Sequence, residues 1–519
     1  MNALSVLYGG SLQEAAYEPI FSGKNALSLA LAQAADFPDT HKTVLLIRDD
    51  PAYKPEYLEA SYEVIKSPQW TKKSLLDTLA RLSQGFDLTY FAWADCPFLD
   101  PELTKTIAER HLRYVAEYSY SDGLPYGLSP ELLAPGVAAI LSKILGDNDG
   151  PVERDALFSV IQKDINAFDI ETVISPVDLR RHRLSLTADS KRNLLLLSRF
   201  AEAGFSGPQD AERFIREKPE LLRTLPNFYP IQVSAACPQT CSLCPYPRFN
   251  AANIPLHERK DFLDPVAFVE LLDAICAFSE DGIIDLSLWG ELSLHPEKMH
   301  LIRSVLSRPN LSLIIETSGI GWKTGELEAL AEEARQGQVR KNQQPPLSWI
   351  LSLDAHDPQR YREIRGSGYP EAMETAKTLL RLFPKDAYMQ AVRVKGAEDD
   401  IEEFYRSWKD AGSQIIIQKY DYFCGSLPEL RAADLSPIKR CPCWHLMRDM
   451  PILIDGRVPL CREDLAVLAG AAEGRILGNI FSDSLETIWA RGEKFYREQC
   501  KAEYTGICAG CDEYYTYNF

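Results

Sequence analysis

The chain has 519 residues, 45% of them apolar, and carries 74 acidic against 56 basic side chains for a formal net charge of −18. That charge opposes a phosphate backbone, where neutralising lysines and arginines supply most of the affinity, and so argues against a nucleic-acid partner. No stretch reaches the roughly 20 apolar residues of a membrane span and no basic residue precedes Lys24, so a cytoplasmic protein of about three domains, without a membrane anchor, is expected.

Apolar strand-like runs at residues 43–47 and 88–94 alternate with helix-period segments, the pattern of an α/β domain. Behind the second run, Asp95-Cys96-Pro97-Phe98-Leu99-Asp100 stands at a strand's carboxyl end, where such sheets collect ligands. Asp122-Gly123-Leu124 and the run from Arg183 to Asp189 (Arg-Leu-Ser-Leu-Thr-Ala-Asp) follow. A turn cap or a solvated carboxylate accounts for Asp95 and Asp189 as readily as a metal does. The loop after the first strand, residues 8–18, holds Glu14 and Glu18 and no cation, so like charges there oppose a triphosphate. Gly204, Gly207 and Pro208 mark the exit from this domain, placed at residues 1–222.

Cys237, Cys241 and Cys244 come next, spaced C-x3-C-x2-C behind the strand-like run 231–234. Three thiolates on one loop can each hold one iron of a [4Fe-4S] cube and leave the fourth iron open to a non-protein ligand. Zinc, which favours paired C-x2-C or Cys/His ligands, is the competing occupant. Beyond them lie Trp289-Gly290-Glu291 after the apolar run 283–288, Ser352-Leu353-Asp354 at the end of another strand, and Ile364-Arg365-Gly366. Taken singly, Glu291 fits a strand-to-helix turn, Ser352 a cap and Arg365 a surface salt bridge.

The last segment carries Cys443, then Asp455-Gly456 ahead of Cys461, Gly478-Asn479-Ile480, residues 485–489, and Cys508-Ala509-Gly510-Cys511. Asp-Gly between β-rich runs signals a hairpin. Four thiols in this arrangement suit a structural zinc as well as a cluster. Cys441 could exchange with Cys443, which spacing prefers, while Cys96, Cys276, Cys424 and Cys500 read as small apolar thiols. Motif spacing and chain length both argue against a disulfide framework.

The cysteine triplet, Gly290-Glu291, Ser352 and Ile364-Arg365-Gly366 together resemble the radical SAM superfamily. That resemblance implies a partial (β/α)6 barrel and a [4Fe-4S] cluster on Cys237, Cys241 and Cys244 that binds S-adenosylmethionine. Leu243 would cover the adenine, where the family often has an aromatic residue. Gly290 and Glu291 would receive the ammonium group, with Trp289 in place of the family's first glycine, and Ser352 and Arg365 would contact the methionine carboxylate or ribose.

The C-terminal pattern resembles the SPASM/Twitch extension, which implies one auxiliary [4Fe-4S] cluster on Cys443, Cys461, Cys508 and Cys511 for electron relay or structure. The first domain resembles the nucleotide-sugar cytidylyltransferases, which implies Mg²⁺ at Asp95 and Asp189. The missing loop cations predict that it transfers no nucleotide, although a sugar nucleotide or a docking partner stays open.

As a whole the chain is similar to the spiro-SPASM proteins. The implied fold class is α/β: a nucleotidyltransferase-like domain at 1–222, a radical SAM core at 223–440 and a small cluster-binding domain at 441–519. The implied function is a radical SAM enzyme that generates a 5′-deoxyadenosyl radical to modify a peptide, a protein or a nucleotide sugar. Its electron would come from a donor such as flavodoxin or ferredoxin. The alternative is an iron-sulfur or redox scaffold without S-adenosylmethionine cleavage.

Overall fold

Two strands buried along their whole length, Ala3–Gly9 (β1) and Leu88–Trp93, occupy the middle of the first sheet. Their unbroken apolar runs suit strands covered on both faces, which is how parallel sheets pack. The computed structural model describes residues 1–21, 23–50, 62–146, 149–246, 261–337, 340–342, 344–468 and 474–516. These fall into two units, residues 1–224 and 225–519.

In the first unit the sheet comprises β1, Thr40–Arg48 (β2), Glu63–Ser67 (β3), Leu88–Trp93 (β4), Tyr118–Asp122 (β5), Glu131–Leu133 (β6) and Ile170–Ile174 (β7), in the order β3-β2-β1-β4-β6-β5-β7. Only β6 runs antiparallel to its neighbours. The helices begin where the sequence supplies caps. Asn25 accepts from Ser28 N at the start of Ala26–Ala35 (α1), Thr71 forms a capping box with Ser74 ahead of Lys72–Leu82 (α2), and Asp100 with Pro101 opens Pro101–Arg113 (α3). The leucine-rich segment after Asp189 is helix Lys191–Glu202 (α4), capped by Ser190.

In the second unit six parallel strands follow one another in both sequence and space: Phe228–Pro230 (β8), Gly282–Asp285 (β9), Leu311–Thr317 (β10), Leu347–Ser352 (β11), Ala387–Arg393 (β12) and Gln414–Lys419 (β13). Helices Pro265–Ser279 (α5), Lys298–Leu306 (α6), Thr324–Gln336 (α7), Pro358–Arg365 (α8), Tyr369–Leu382 (α9) and Glu398–Asp410 (α10) return the chain between them. This is the partial (β/α)6 barrel, with the strands' carboxyl ends on one face. Part of the polar run at 336–346 (residues 338, 339 and 343) lies outside the described residues.

Two expected strands are displaced. The barrel strand is Phe228–Pro230; Ile231 N still donates to Asp285 O of the neighbouring strand at 2.7 Å, and residues 232–234 then pair elsewhere, Gln232 N donating to Ile452 O at 2.9 Å and Val233 O accepting from Leu263 N at 3.0 Å. The run 283–288 is strand only to Asp285, since the Asp285 carboxylate takes the Ser287 amide at 3.0 Å and turns the chain.

The same unit continues into Trp444–Arg448 (α11), an antiparallel pair Arg457–Pro459 (β14) with Ile476–Asn479 (β15), and Leu485–Cys500 (α12). Asp455-Gly456 makes a tight turn as expected, with Gly456 at φ +84° and Leu453 N bonded to Arg457 O, but it precedes β14 and does not join β14 to β15. Among the described residues no helix is long and apolar enough to cross a membrane.

Candidate functional site

The loop carrying the cysteine triplet hangs from the end of α8. Thr240 N and Ser242 N donate to the Arg365 and Ile364 carbonyls at 3.4 and 2.8 Å, satisfying acceptors that a helix end leaves open. Gln239 locks the pair from the side, its amide nitrogen on Tyr361 Oη at 2.6 Å and its oxygen taking Arg365 Nε at 2.9 Å. The two motifs, more than 120 residues apart in sequence, are therefore one structural joint.

Trp289-Gly290-Glu291 is pinned to the same loop. Glu291 N donates to Ala236 O at 2.8 Å, and Gly290 lies so close beneath Ser234 that a Cβ there would sit 1.8 Å from the Ser234 carbonyl oxygen. Trp289 adopts φ +48°, a left-handed conformation unusual for a bulky residue. Its ring stacks on Tyr246 (centroids 6.0 Å apart) and leans on Phe423 (5.5 Å), and these contacts offset the backbone strain.

Cys237, Cys241, Cys244, Leu243, Gly290, Glu291, Ser352 and Arg365 all line one cavity of about 270 Å³ at the carboxyl ends of the strands. Burial pushes the Cys237 thiol up to about 11 and the Cys244 thiol to about 12. Arg365 is not a surface pair: its side chain is 12% exposed and its Nη1 donates to Asp354 at 2.5 Å. Burial opposes its charge, but Cys241 and Asp354 keep it protonated.

Glu291 is buried and receives Thr317 Oγ1 at 2.6 Å and Ser318 N at 2.8 Å, one on each oxygen. Burial raises its pKa, the larger influence over those hydrogen bonds. A carboxylate has about four acceptor positions, so capacity for a further donor exists. Ser352 does not cap a helix. Its hydroxyl donates to Glu316 at 2.5 Å and accepts from Gln390 at 3.1 Å.

Farther from the triplet the cavity is lined by Asp285, Glu316, Asp421, Lys419 and Arg462. Burial holds the Asp285 carboxyl up at about 6. Lys419 is already engaged by Asp512 at 3.0 Å and by Glu513, and Arg462 by Glu463 at 3.1 Å.

The C-terminal thiols also converge. Cys443, at the head of α11, interacts electrostatically with Cys511 and Cys508, and Cys461 does so with Cys443 and Cys511. Each sulfur of the distal three faces a nitrogen: Glu463 N at 3.5 Å from Cys461 Sγ, Arg475 Nη2 at 3.4 Å from Cys508 Sγ, and Glu513 N at 3.3 Å from Cys511 Sγ. Such contacts to sulfur stabilise a thiolate and tune a cluster. Cys441 is turned elsewhere, its Sγ 3.8 Å from Lys439 O. Cys424 was read as a bland thiol, yet it shares a hydrogen bond with Cys511 from a pair of left-handed residues, Phe423 (φ +49°) and Cys424 (φ +51°). Nothing in its sequence neighbourhood announces that. Among the described residues no three His, Cys, Asp or Glu side chains are grouped to hold a single metal ion.

In the first unit Asp95 and Asp189 are brought together, but with Arg154 between them. Arg154 stands in no sequence motif.

Residues 441–512 match the SPASM family, an iron-sulfur cluster-binding domain. An uncharacterised protein of Treponema pallidum is 37% identical over 376 residues, covering 70% of this chain and 98% of its own length. Among solved structures, SuiB of Streptococcus suis bound to the precursor peptide SuiA overlays with a TM-score of 0.42 at 14% identity, covering 73% of this chain and 85% of that one. A cytidylyltransferase from Leptospira borgpetersenii overlays with a TM-score of 0.36 at 15% identity, covering 42% and 95%.

Proposed function

The chain belongs to one family with the Treponema pallidum protein and ends in a SPASM iron-sulfur cluster-binding domain, and we propose that it is a radical SAM enzyme acting on a peptide or protein. The observation that carries this reading is the single cavity gathering Cys237, Cys241 and Cys244 with Gly290, Glu291, Ser352 and Arg365. A [4Fe-4S] cluster and S-adenosylmethionine, when bound, would supply the radical chemistry that takes hydrogen from an unactivated carbon.

The chain's own residues bind, orient and exclude water. The three thiols hold the cluster, Glu291 accepts an ammonium group, and Arg365 offers a planar guanidinium to a carboxylate. Leu243 covers the adenine, and Trp289, Tyr246 and Phe423 wall one side against solvent. Cys443, Cys461, Cys508 and Cys511 would hold the auxiliary cluster, for electron relay or structure. A flavodoxin or ferredoxin supplies the electron.

Charge favours the peptide over the nucleotide sugar. The cavity is lined by five carboxyl groups (Asp285, Glu291, Glu316, Asp354, Asp421) against three cations (Arg365, Lys419, Arg462), and two of those cations are engaged by carboxylates outside the lining. Burial, with Glu463 beside it, holds the Asp421 carboxyl toward its neutral form, and the other carboxyls still match the cations, so the lining offers a pyrophosphate no net attraction. A peptide segment carries no such charge, and so the nucleotide sugar is the second choice.

Anaerobically reconstituted protein incubated with dithionite and S-adenosylmethionine is expected to form 5′-deoxyadenosine, and Cys241→Ala to form none. Equal yields from both would shift the reading to an iron-sulfur scaffold. Iron analysis is expected to find about eight atoms per chain, falling to about four in Cys461→Ala. Zinc at near-stoichiometric levels in place of that iron would overturn the auxiliary-cluster assignment. Deuterium transfer from labelled peptides into 5′-deoxyadenosine, and none from labelled sugar nucleotides, is the outcome the cavity charge anticipates.

A further inference from the structure

β1 and β4 lie side by side in the first unit where the strand order reverses, the place at which open α/β sheets collect ligands. Asp95 follows β4 there and Asp189 precedes α4, the two carboxylates expected to hold Mg²⁺. Between them stands a guanidinium. Arg154 Nη1 and Nη2 reach Asp95 Oδ1 and Oδ2 at 2.8 and 2.5 Å, and Nη2 also reaches Asp189 Oδ2 at 2.9 Å. The remaining Asp189 oxygen takes Asn193 Nδ2 at 2.8 Å, so all four carboxylate oxygens are already receiving a donor.

Aromatic rings hold the cation from the other side. The guanidinium carbon is 4.3 Å from the Trp93 ring centroid and 5.6 Å from that of Tyr126. The crevice at the end of β1 is filled as well: Tyr8 packs edge-on against Trp93 (4.9 Å) and Trp70 (6.2 Å), and a Cβ on Gly10 would lie 2.5 Å from Tyr8 Oη.

Mg²⁺ needs a near-octahedral oxygen shell at about 2.0–2.1 Å. Placing it here would require expelling a partly buried, bidentate guanidinium, or holding a dication beside a cation in a site of low dielectric. The residues present do not fit the metal. We propose that Arg154 has taken the divalent cation's place, so that the first unit is a metal-free relative of the cytidylyltransferase type whose carboxylate pair is permanently closed. The clamp ties the end of β4 to the start of α4 through side chains instead of an ion. The guanidinium occupies the space a metal would need, and the two carboxylates with it leave a formal charge of −1, the same sign as a nucleoside triphosphate, so the clamp offers the nucleotide no net attraction.

Mn²⁺ binding to the full-length holoprotein, followed by the loss of the free-ion electron paramagnetic resonance signal, tests this. Wild type and Asp95→Asn/Asp189→Asn are expected to give superimposable isotherms, whereas Arg154→Met gains one site that a further Asp189→Asn removes. Mg²⁺ is expected to raise the melting temperature of Arg154→Met by several degrees and leave wild type unmoved. A wild-type Mn²⁺ site lost in Asp95→Asn/Asp189→Asn would overturn the proposal, as would a folded Arg154→Met that gains none. Should Arg154→Met not fold, the wild-type comparison decides alone.

Discussion

Replacing Gly290 by alanine is expected to cut the rate of 5′-deoxyadenosine formation by at least about 100-fold, the scale of loss that a displacement of about 1 Å at a reacting centre produces. The alanine Cβ would stand 1.8 Å from Ser234 O and 2.8 Å from its carbonyl carbon. Both are backbone atoms, and the strand-end turn they belong to is pinned by Glu291 N on Ala236 O, so no side chain can swing aside to make room. The turn must move, taking Glu291 away from Thr317 and Ser318 and disturbing the loop of Cys237. Iron bound at the triplet, measured in the same preparation, separates lost geometry from a lost cluster. A variant that retains iron and turns over within about threefold of wild type would show that the close approach has no bearing on the reaction.

The second large effect concerns the joint between the barrel and the C-terminal segment. Asp449 lies beside β8, its backbone bridged to Phe228, and its largely covered carboxylate receives Arg448 Nε at 2.5 Å and pairs with His445 Nδ1 at 2.6 Å. Burial, the strongest single influence, acts to raise its pKa, yet Arg448 and His445 together overcome it and hold the group well below the usual carboxylate range. Asp449→Asn would take the ion-pair acceptor from both His445 and Arg448, the latter itself buried over the Phe228 ring at 4.5 Å. Breaking such a pair typically costs about 3–5 kcal/mol, and the midpoint of denaturant unfolding of the second unit is expected to fall accordingly.

The pH dependence follows with a definite sign. A folded-state pKa below the unfolded value of about 3.9 means that this contribution is fully present above that pH and lost as pH falls below it. The difference in stability between wild type and Asp449→Asn should therefore be constant near neutrality and shrink on acidification below about pH 4. A difference that persists unchanged into acid would rule out the charge as its source.

Much of the site was legible from spacing alone because its residues are local constellations. A C-x3-C-x2-C loop, a Gly-Glu turn after an apolar strand and an Arg-Gly at a helix end each declare themselves within a few positions, and the structure sets all of them around one cavity. The parallel barrel was legible for the same reason, since alternation of strand and helix is a periodic signal carried by consecutive residues. Long-range neighbours left no such trace. Cys424 meets Cys511 across 87 positions, and its left-handed backbone is imposed by packing and by no motif.

Strand ends were misplaced where a partner from elsewhere in the chain competed for backbone. Residues 231–234 have the composition of a strand, but beyond Ile231 they bond Ile452 and Leu263 and not the barrel neighbour, and apolar periodicity does not report which neighbours a strand will choose.

The amino-acid order by itself determined the classes of element, the two thiol sets and the absence of cations in the first loop, because each rests on covalent proximity and local periodicity. Only the folded arrangement decided that Arg154, 59 residues from Asp95 and 35 from Asp189, would stand between those carboxylates, and that their shared site would be closed to a metal. A carboxylate's charge is written in the sequence, but the cation that neutralises it is selected by which side chains the fold buries together.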